Sequence, residues 1–219
     1  MITNQFWLRF MGLAGILGGF VLFSGDMLFY YDLVSTDIKI NMGNASDLRI
    51  KLSGISALVA TWLYLFGLLQ VYYAFKISSK TARNIVLISF AAILTACGII
   101  HGAYVAIAVT SKLSIQYDID INKATLLATE TNQLLRLFIY PIFAILSFVF
   151  IKEVWKKKTL YPRWILFFFP LVPFLFQGLI NKVLNGSIKI IIMGGFLNII
   201  LIIFFTASTV ALWNSKPNN

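Results

Sequence analysis

The chain has 219 residues, of which 59% are hydrophobic and 12% are charged. A soluble domain has nearer ~45–50% apolar and ~25% charged residues, so this composition excludes an ordinary water-soluble protein and is typical of a membrane protein. The formal net charge of +10 lies in short segments between apolar runs. Charge in that position sets membrane topology, and the sequence therefore predicts no nucleic-acid partner.

Six apolar runs follow one another, each about as long as a helix needs to cross a ~30 Å hydrocarbon core. Because lipid cannot satisfy open backbone groups, and the alternation of a barrel strand is missing, helices are the expected spanning structure. The predicted spans cover residues 6–30, 52–75, 85–109, 130–151, 164–181 and 188–213. The predicted fold is all-α, a polytopic bundle of six transmembrane helices in a single domain, 1–219.

The distribution of lysine and arginine predicts the orientation of the bundle. Ten of these residues are on the side that holds both chain ends and the turns after spans 2 and 4: Arg9, Lys76, Lys80, Arg83, Lys152, Lys156, Lys157, Lys158, Arg163 and Lys216. Seven are on the other side. Since cytoplasmic loops carry the excess of positive charge, both termini are predicted to be cytoplasmic, in a multi-pass protein of the cell membrane.

Two rare residues limit the chemistry that the chain can support. Cys97 is the only cysteine and His101 the only histidine. One thiol excludes an internal disulfide, and one of each side chain makes a metal site or a bis-histidine haem improbable. Walker and Rossmann glycine patterns are missing as well. The sequence predicts no metal and no cofactor.

His101 lies inside the third predicted span, with Tyr104 one turn further on. An ionisable group in a spanning segment is costly, so by default it marks a functional site and must have a partner. It lies eight residues before the outward end of its span, or about 12 Å below that surface. Asp26, near the outward end of span 1, is at a similar depth and is a candidate partner.

Further polar side chains lie in the outer half of the other predicted spans, whereas the inner half is almost wholly apolar. They are Glu130, Gln133 and Arg136 in span 4, Gln177 in span 5 and Asn198 in span 6. Arg136 cannot lose its proton, so it should face Asp26, Glu130 or an anionic ligand. The predicted ligand-binding set is Asp26, His101, Tyr104, Glu130, Gln133, Arg136, Gln177 and Asn198, with His101 the candidate catalytic residue.

Three short motifs carry a resemblance to a known family. They are Gly25-Asp26-Met27-Leu28-Phe29-Tyr30, Tyr64-Leu65-Phe66-Gly67 and His101-Gly102-Ala103. In these motifs the chain resembles a group of uncharacterised bacterial membrane proteins classed as a domain of unknown function. The resemblance covers most of the chain and implies a bacterial inner-membrane location and no activity.

Six spans with an intramembrane histidine also resemble the androgen-induced family of lipid hydrolases, which use a threonine and a histidine. Thr61 would be the nucleophile under that resemblance. It lies a third to half-way down span 2, and no motif pairs it with His101. None of that family's sites is transferred to this chain.

Three functions remain open at the level of sequence. The first is a membrane protein, such as a transporter subunit, whose outward polar cavity binds a lipid-like or small anionic ligand. The second is an intramembrane enzyme that acts on a lipid, with His101 as general acid or base. The third is a structural or interaction protein whose polar groups only hold helices together. Membrane lipid is the expected partner, and a homo-oligomer is left open.

Overall fold

A computed structural model describes residues 4–32 and 35–214, and every regular element in these ranges is helical. The long helices are α1 (Gln5–Tyr30), α3 (Asp47–Ala74), α4 (Lys80–Gln116), α5 (Ile121–Trp155) and α9 (Phe196–Leu212), and the short ones are α2 (Ile38–Asn44), a 3-10 helix (Arg163–Phe168), α6 (Leu171–Leu175), α7 (Gln177–Val183) and α8 (Gly186–Gly194). Within the described residues, α1, α3, α4 and α5 are each long and apolar enough to cross a membrane. The bent pair of α8 and α9 makes a fifth candidate.

Side-chain caps extend three of these helices beyond the predicted spans. Ser46 accepts the backbone N–H of Arg49 at the start of α3, and Asp120 accepts those of Asn122 and Lys123 at the start of α5. Such oxygens satisfy N–H groups that have no partner within the first helical turn. Helix α4 starts five residues before its predicted span and continues seven residues past it, to Gln116.

The chain enters and leaves the bundle at the same end. The Gln5 side-chain amide donates to the backbone carbonyls of Leu212 and Trp213, and the Arg9 guanidinium donates to the Trp213 carbonyl. We call this end of the bundle the terminal end. The opposite end, the loop end, holds the C-terminus of α1 and the whole of α2.

The loop end is closed by side chains that cap the last carbonyls of α1. Arg49 donates to the carbonyls of Leu28 and Tyr31, at 3.0 and 2.8 Å, and Asn41 donates to that of Tyr30 at 2.8 Å. A cation at a helix C-terminus also interacts favourably with the helix dipole. The segment between the first two predicted spans therefore contains α2, which is packed onto the bundle.

The single helix predicted over 164–181 is wrong. The structure has three short helical pieces there instead, and none is long enough to cross a membrane by itself. Pro170 immediately precedes α6 and Pro173 lies within it. Each proline lacks the N–H that a continuous helix needs and clashes with the preceding turn, so two prolines three residues apart favour a break here. The single Pro141, by contrast, lies inside the continuous α5.

The last predicted span, 188–213, is also broken. Helices α8 and α9 meet at Gly195 with a bend of 61°. The ring of Phe23 lies so close that a Cβ on Gly195 would be 2.3 Å from it, and a Cβ on Gly194 would be 2.8 Å from the ring of Tyr30. The two glycines thus let α1 approach the bend closely.

The terminal end contains a buried polar chain that the sequence analysis missed. The Tyr161 hydroxyl donates to Ser208 at 2.7 Å, Ser208 donates to the Gln70 carbonyl oxygen at 2.8 Å, and the Gln70 amide donates to the Leu8 carbonyl at 3.0 Å. Burial raises the pKa of Tyr161, which keeps the phenol a donor. The half of the bundle at the terminal end is therefore not wholly apolar.

Candidate functional site

Four helices meet at one buried carboxylate, Asp26 of α1. One carboxylate oxygen lies 3.0 Å from Nδ1 of His101 on α4, and the other accepts the Asn198 amide of α9 at 2.6 Å. The carbonyl oxygen of Asn198 in turn accepts the hydroxyl of Tyr64, on α3, at 2.9 Å. All four side chains are buried. The predicted proximity of Asp26 and His101 is confirmed, and Tyr64 is a member that sequence reasoning missed.

The surroundings of His101 define where its protons lie. Nε2 lies 3.1 Å from the Ser53 carbonyl, which can only accept, and 2.9 Å from the Ser53 hydroxyl, whose own proton goes to the Gly25 carbonyl at 2.7 Å. Nε2 must therefore carry a proton. Nδ1 and Asp26 then share one further proton, as imidazolium with carboxylate or as imidazole with carboxylic acid. Both forms leave the pair with no net charge, which suits its depth.

Ser53, His101 and Asp26 lie in the order of a hydrolytic triad, but Ser53 cannot act as its nucleophile in this arrangement. The hydroxyl is fully buried among α1, α3 and α4, and Ser53 does not line the cavity described below. Its proton points to the Gly25 carbonyl and not to the imidazole. A nucleophile must reach its substrate and give up its proton to the base, and this serine does neither.

Thr61 is also unsuited to the role that a lipid hydrolase would require. Its hydroxyl donates to the Ala57 carbonyl of its own helix at 2.7 Å. The Thr61 side chain packs against Gly98 of α4. A Cβ added to Gly98 would lie 2.0 Å from the Thr61 hydroxyl oxygen. It does not contact His101, whose two ring nitrogens face Asp26 and Ser53.

Arg136 of α5 is held by two neutral side chains. Its Nη2 donates to the Tyr104 hydroxyl at 2.6 Å, and its Nε donates to the carbonyl oxygen of Asn132 at 3.2 Å. Within the described ranges no carboxylate lies within 4.0 Å of its nitrogens, so of the three partners that the sequence offers, Asp26 and Glu130 form no ion pair with it and an anionic ligand is left. A guanidinium has five N–H groups. Three of them remain for another acceptor.

A cavity of about 270 Å³ lies between α4, α5, α9 and the three short helical pieces over 163–183, which we call the broken segment. Six of the predicted ligand-binding residues line it: Asp26, His101, Tyr104, Arg136, Gln177 and Asn198. These polar groups all lie towards the loop end. The wall towards the terminal end is apolar and includes Phe90, Ile93, Phe143, Leu146 and Leu201, with the thiol of Cys97 between the two regions. The cavity thus has a polar end and an apolar end.

Glu130 and Gln133 are outside this cavity and exposed on α5. At about 100° per residue, Glu130 is turned by about 120° from Arg136 and Gln133 by about 60°, so Glu130 lies off the face of Arg136 and Gln133 lies at its edge. Asn132, which is four residues before Arg136, does share its face and bonds to it. In the part of the chain that the structure describes, no group of three or more histidine, cysteine or acidic side chains could hold a metal ion.

The helices and the cavity define the class of the protein: a multi-pass helical membrane protein with a polar-ended cavity inside its bundle. Residues 1–215 match the model of a family described as "Family of unknown function (DUF6796)", and the chain belongs to that family. The resemblance to an uncharacterised family is thereby confirmed. No curated protein and no solved structure matches the chain.

Proposed function

We propose that the protein binds an amphiphile with an anionic head group, with the head at Arg136 and the apolar part in the cavity towards Phe90 and Leu146. The observation that carries the proposal is the guanidinium of Arg136, which lines a mostly apolar cavity with three N–H groups uncommitted. Arginine matches the planar geometry of carboxylate and phosphate oxygens and forms charge-assisted hydrogen bonds with them.

Two neighbours support the same position for the head group. The amide of Gln177 lines the cavity and has no hydrogen-bond partner among the described residues, and the Tyr104 hydroxyl accepts from Arg136 and keeps its own proton. Both can donate to an anion. Ligand sites usually combine apolar walls with a few convergent polar groups, which is the composition of this cavity.

Catalysis with His101 as acid or base has less support. Both ring nitrogens are hydrogen-bonded to Asp26 and Ser53, so neither is directed at a substrate. The buried hydrogen-bond network of Asp26, His101, Asn198 and Tyr64 fits the third function, a structural protein. The network joins four helices, and its donors and acceptors bond to one another. Under our proposal this network forms one wall of the ligand cavity. Transport remains a further prediction.

Replacing Arg136 should weaken binding of the anionic head. We expect Arg136→Gln to lower the affinity for oleate by about 10- to 100-fold, because a hydrogen bond to a charged group contributes ~1.5–3 kcal/mol. Arg136→Lys should lose less, since it keeps the charge without the planar fork. Native mass spectrometry of the protein in neutral detergent measures the bound fraction as oleate is titrated.

The matched control is Arg163→Gln, which removes the same charge at the terminal end, where Arg163 donates to the Trp155 carbonyl. It should bind oleate like the wild type. Oleyl alcohol, which has the same chain without a charge, should bind wild type and Arg136→Gln equally. Equal affinity of Arg136→Gln and Arg163→Gln for oleate would exclude the proposed head-group site.

We also propose that the broken segment 163–183 crosses the membrane, so that the chain crosses six times with both termini cytoplasmic. Its three helical pieces, laid end to end, reach about 30 Å at the helical rises, which is one bilayer core. The contacts of Gln5 with Leu212 and Trp213 keep the two ends together, which requires an even number of crossings. Location in the bacterial inner membrane, which the resemblance implied, stays a prediction.

Cysteine accessibility tests this topology. In a Cys97→Ala background, Lys156→Cys precedes the broken segment and Ser187→Cys follows it, and both positions are exposed. We expect a membrane-impermeant maleimide added to intact cells to label Ser187→Cys and not Lys156→Cys. Labelling of both or of neither from outside would show that the segment does not cross. Labelling of Lys156→Cys alone would show that the segment crosses in the opposite orientation, with both termini outside.

A further inference from the structure

The size of the cavity limits how many chains a ligand can place in it. The lining runs along α4 from Phe90 to Tyr104, which is about 21 Å at the helical rise. The volume of about 270 Å³ is below the ~300–1,000 Å³ of sites for drug-sized ligands. A cavity of this length and small volume favours a ligand with one extended chain over a ligand with two.

The cavity reaches the surface within an apolar belt. Three of its lining residues, Arg136, Tyr140 and Leu197, are themselves exposed. Exposed apolar residues on the same helices include Leu137 and Phe138 of α5, Leu175 of α6 and Leu179 of α7. On a bundle of membrane-crossing helices such a belt contacts lipid, so the opening faces the bilayer. A ligand that passes through it comes from the lipid phase.

The broken segment explains why the bundle is open on this side. Helices α6 and α7 have five and seven residues, and no residue of either is buried. They cover the cavity with Phe174 and Gln177, but they do not form a continuous helix that would pack along the whole of α5. The break in this segment therefore leaves the cavity open to the side.

We propose, on the basis of the function proposed above, that the ligand is a single-chain anionic amphiphile taken from the bilayer through the opening between α5 and the segment of α6 and α7. Its carboxylate or phosphate lies at Arg136, and its chain extends past Cys97 towards Phe90 and Leu146. The small volume of the cavity disfavours lipids with two chains, whatever their head group.

The test uses a photoreactive carboxylate of oleate length with a diazirine at its terminal carbon, added to the wild-type protein in bilayer nanodiscs. We expect cross-links in peptides that contain Phe90, Ile93 and Leu146, where the chain end should lie. An excess of oleoyl lysophosphatidate should displace the probe, and dioleoyl phosphatidate, which has the same head group, should not. Displacement by oleoyl lysophosphatidate also shows whether the site accepts a phosphate in place of a carboxylate.

Two variants of one helix show whether the chain lies inside the cavity. Ala96 lines the cavity, whereas Ile99, about one turn further along α4, is exposed and does not line it. Ala96→Phe should largely abolish cross-linking because the added ring fills the chain's path, and Ile99→Phe should leave it unchanged. Equal cross-linking of both variants would overturn the proposed position of the chain.

The outcomes separate this inference from the proposed function. If phosphatidate displaces the probe as well as lysophosphatidate does, the single-chain inference fails, while a head-group site that depends on Arg136 stands. If cross-linking at Phe90 and Leu146 is the same in Arg136→Gln as in the wild type, the proposed head-group site fails. Cross-links confined to outward-facing residues such as Phe20 and Ile203 would overturn both.

Discussion

Gly67→Ala should strongly destabilise the bundle. Helices α1 and α3 touch backbone to backbone where Gly15 meets Gly67, and a Cβ on Gly67 would lie 2.6 Å from the Gly15 Cα and 3.0 Å from its nitrogen. Backbone atoms cannot rotate away as the end of a side chain can, so the helices must separate. Overpacking in a core costs typically ~1–3 kcal/mol, and we expect a loss at the upper end of that range or above it.

The measurement is the free energy of unfolding in detergent micelles, followed by circular dichroism during denaturant titration. The matched control is Gly102→Ala on α4, because nothing lies within 4 Å of a Cβ there. It should be neutral or slightly stabilising, since alanine favours the helix by roughly 0.5–1 kcal/mol. If both variants unfold alike, the close approach of α1 and α3 is not present in the protein.

Removal of the Asp26 carboxylate should be as costly. In Asp26→Ala, the His101 Nδ1 and the Asn198 amide both lose their buried partner. Removing one member of a buried pair typically costs ~3–5 kcal/mol, because the other is left without compensation. Asp26→Asn should lose less, since an amide oxygen can still accept one of the two donors.

A double-mutant cycle separates this coupling from a general effect of truncation. The double variant Asp26→Ala/His101→Ala should be more stable than the sum of the two single variants predicts, by an amount in the ~0.5–3 kcal/mol range seen for directly interacting residues. Asp47→Ala, which breaks an exposed ion pair with Lys112, should unfold like the wild type. Simple additivity of Asp26→Ala and His101→Ala would mean that the pair does not form.

The helices were predictable because the bilayer imposes a length and a composition on each of them. The runs over 6–30, 52–75, 85–109 and 130–151 all correspond to observed helices that are long and apolar enough to cross a membrane. The breaks were less predictable. A hydropathy average over a window takes no account of the backbone conformation that Pro170 and Pro173 impose, so it marks the segment as apolar but cannot give its conformation.

The site residues that could be predicted are those whose side chains have the highest free energy of transfer into lipid. Asp26, His101 and Arg136 are ionisable groups within apolar runs, and all three line the cavity. Ser53 and Tyr64 were missed because serine and tyrosine are common in spanning helices. Their roles arise only from the way α3 packs between α1 and α4.

Arg136 illustrates the remaining gap between sequence and structure. The sequence shows that a permanent cation within an apolar run needs an acceptor, but the structure provides Tyr104 and Asn132, both neutral. The guanidinium thus forms no ion pair with the described part of the protein. A cation without an ion pair beside an apolar cavity is the basis for assigning an anionic ligand to the site.

The most direct test is an experimental structure of the protein in nanodiscs that contain oleate. We predict elongated density in the cavity, with head-group oxygens at hydrogen-bond distance from Arg136 and the chain directed past Cys97 towards Phe90. An empty cavity in which Arg136 is paired with a carboxylate of the protein itself, such as Glu130, would contradict a binding function. It would leave a bundle whose polar groups serve only to join its helices.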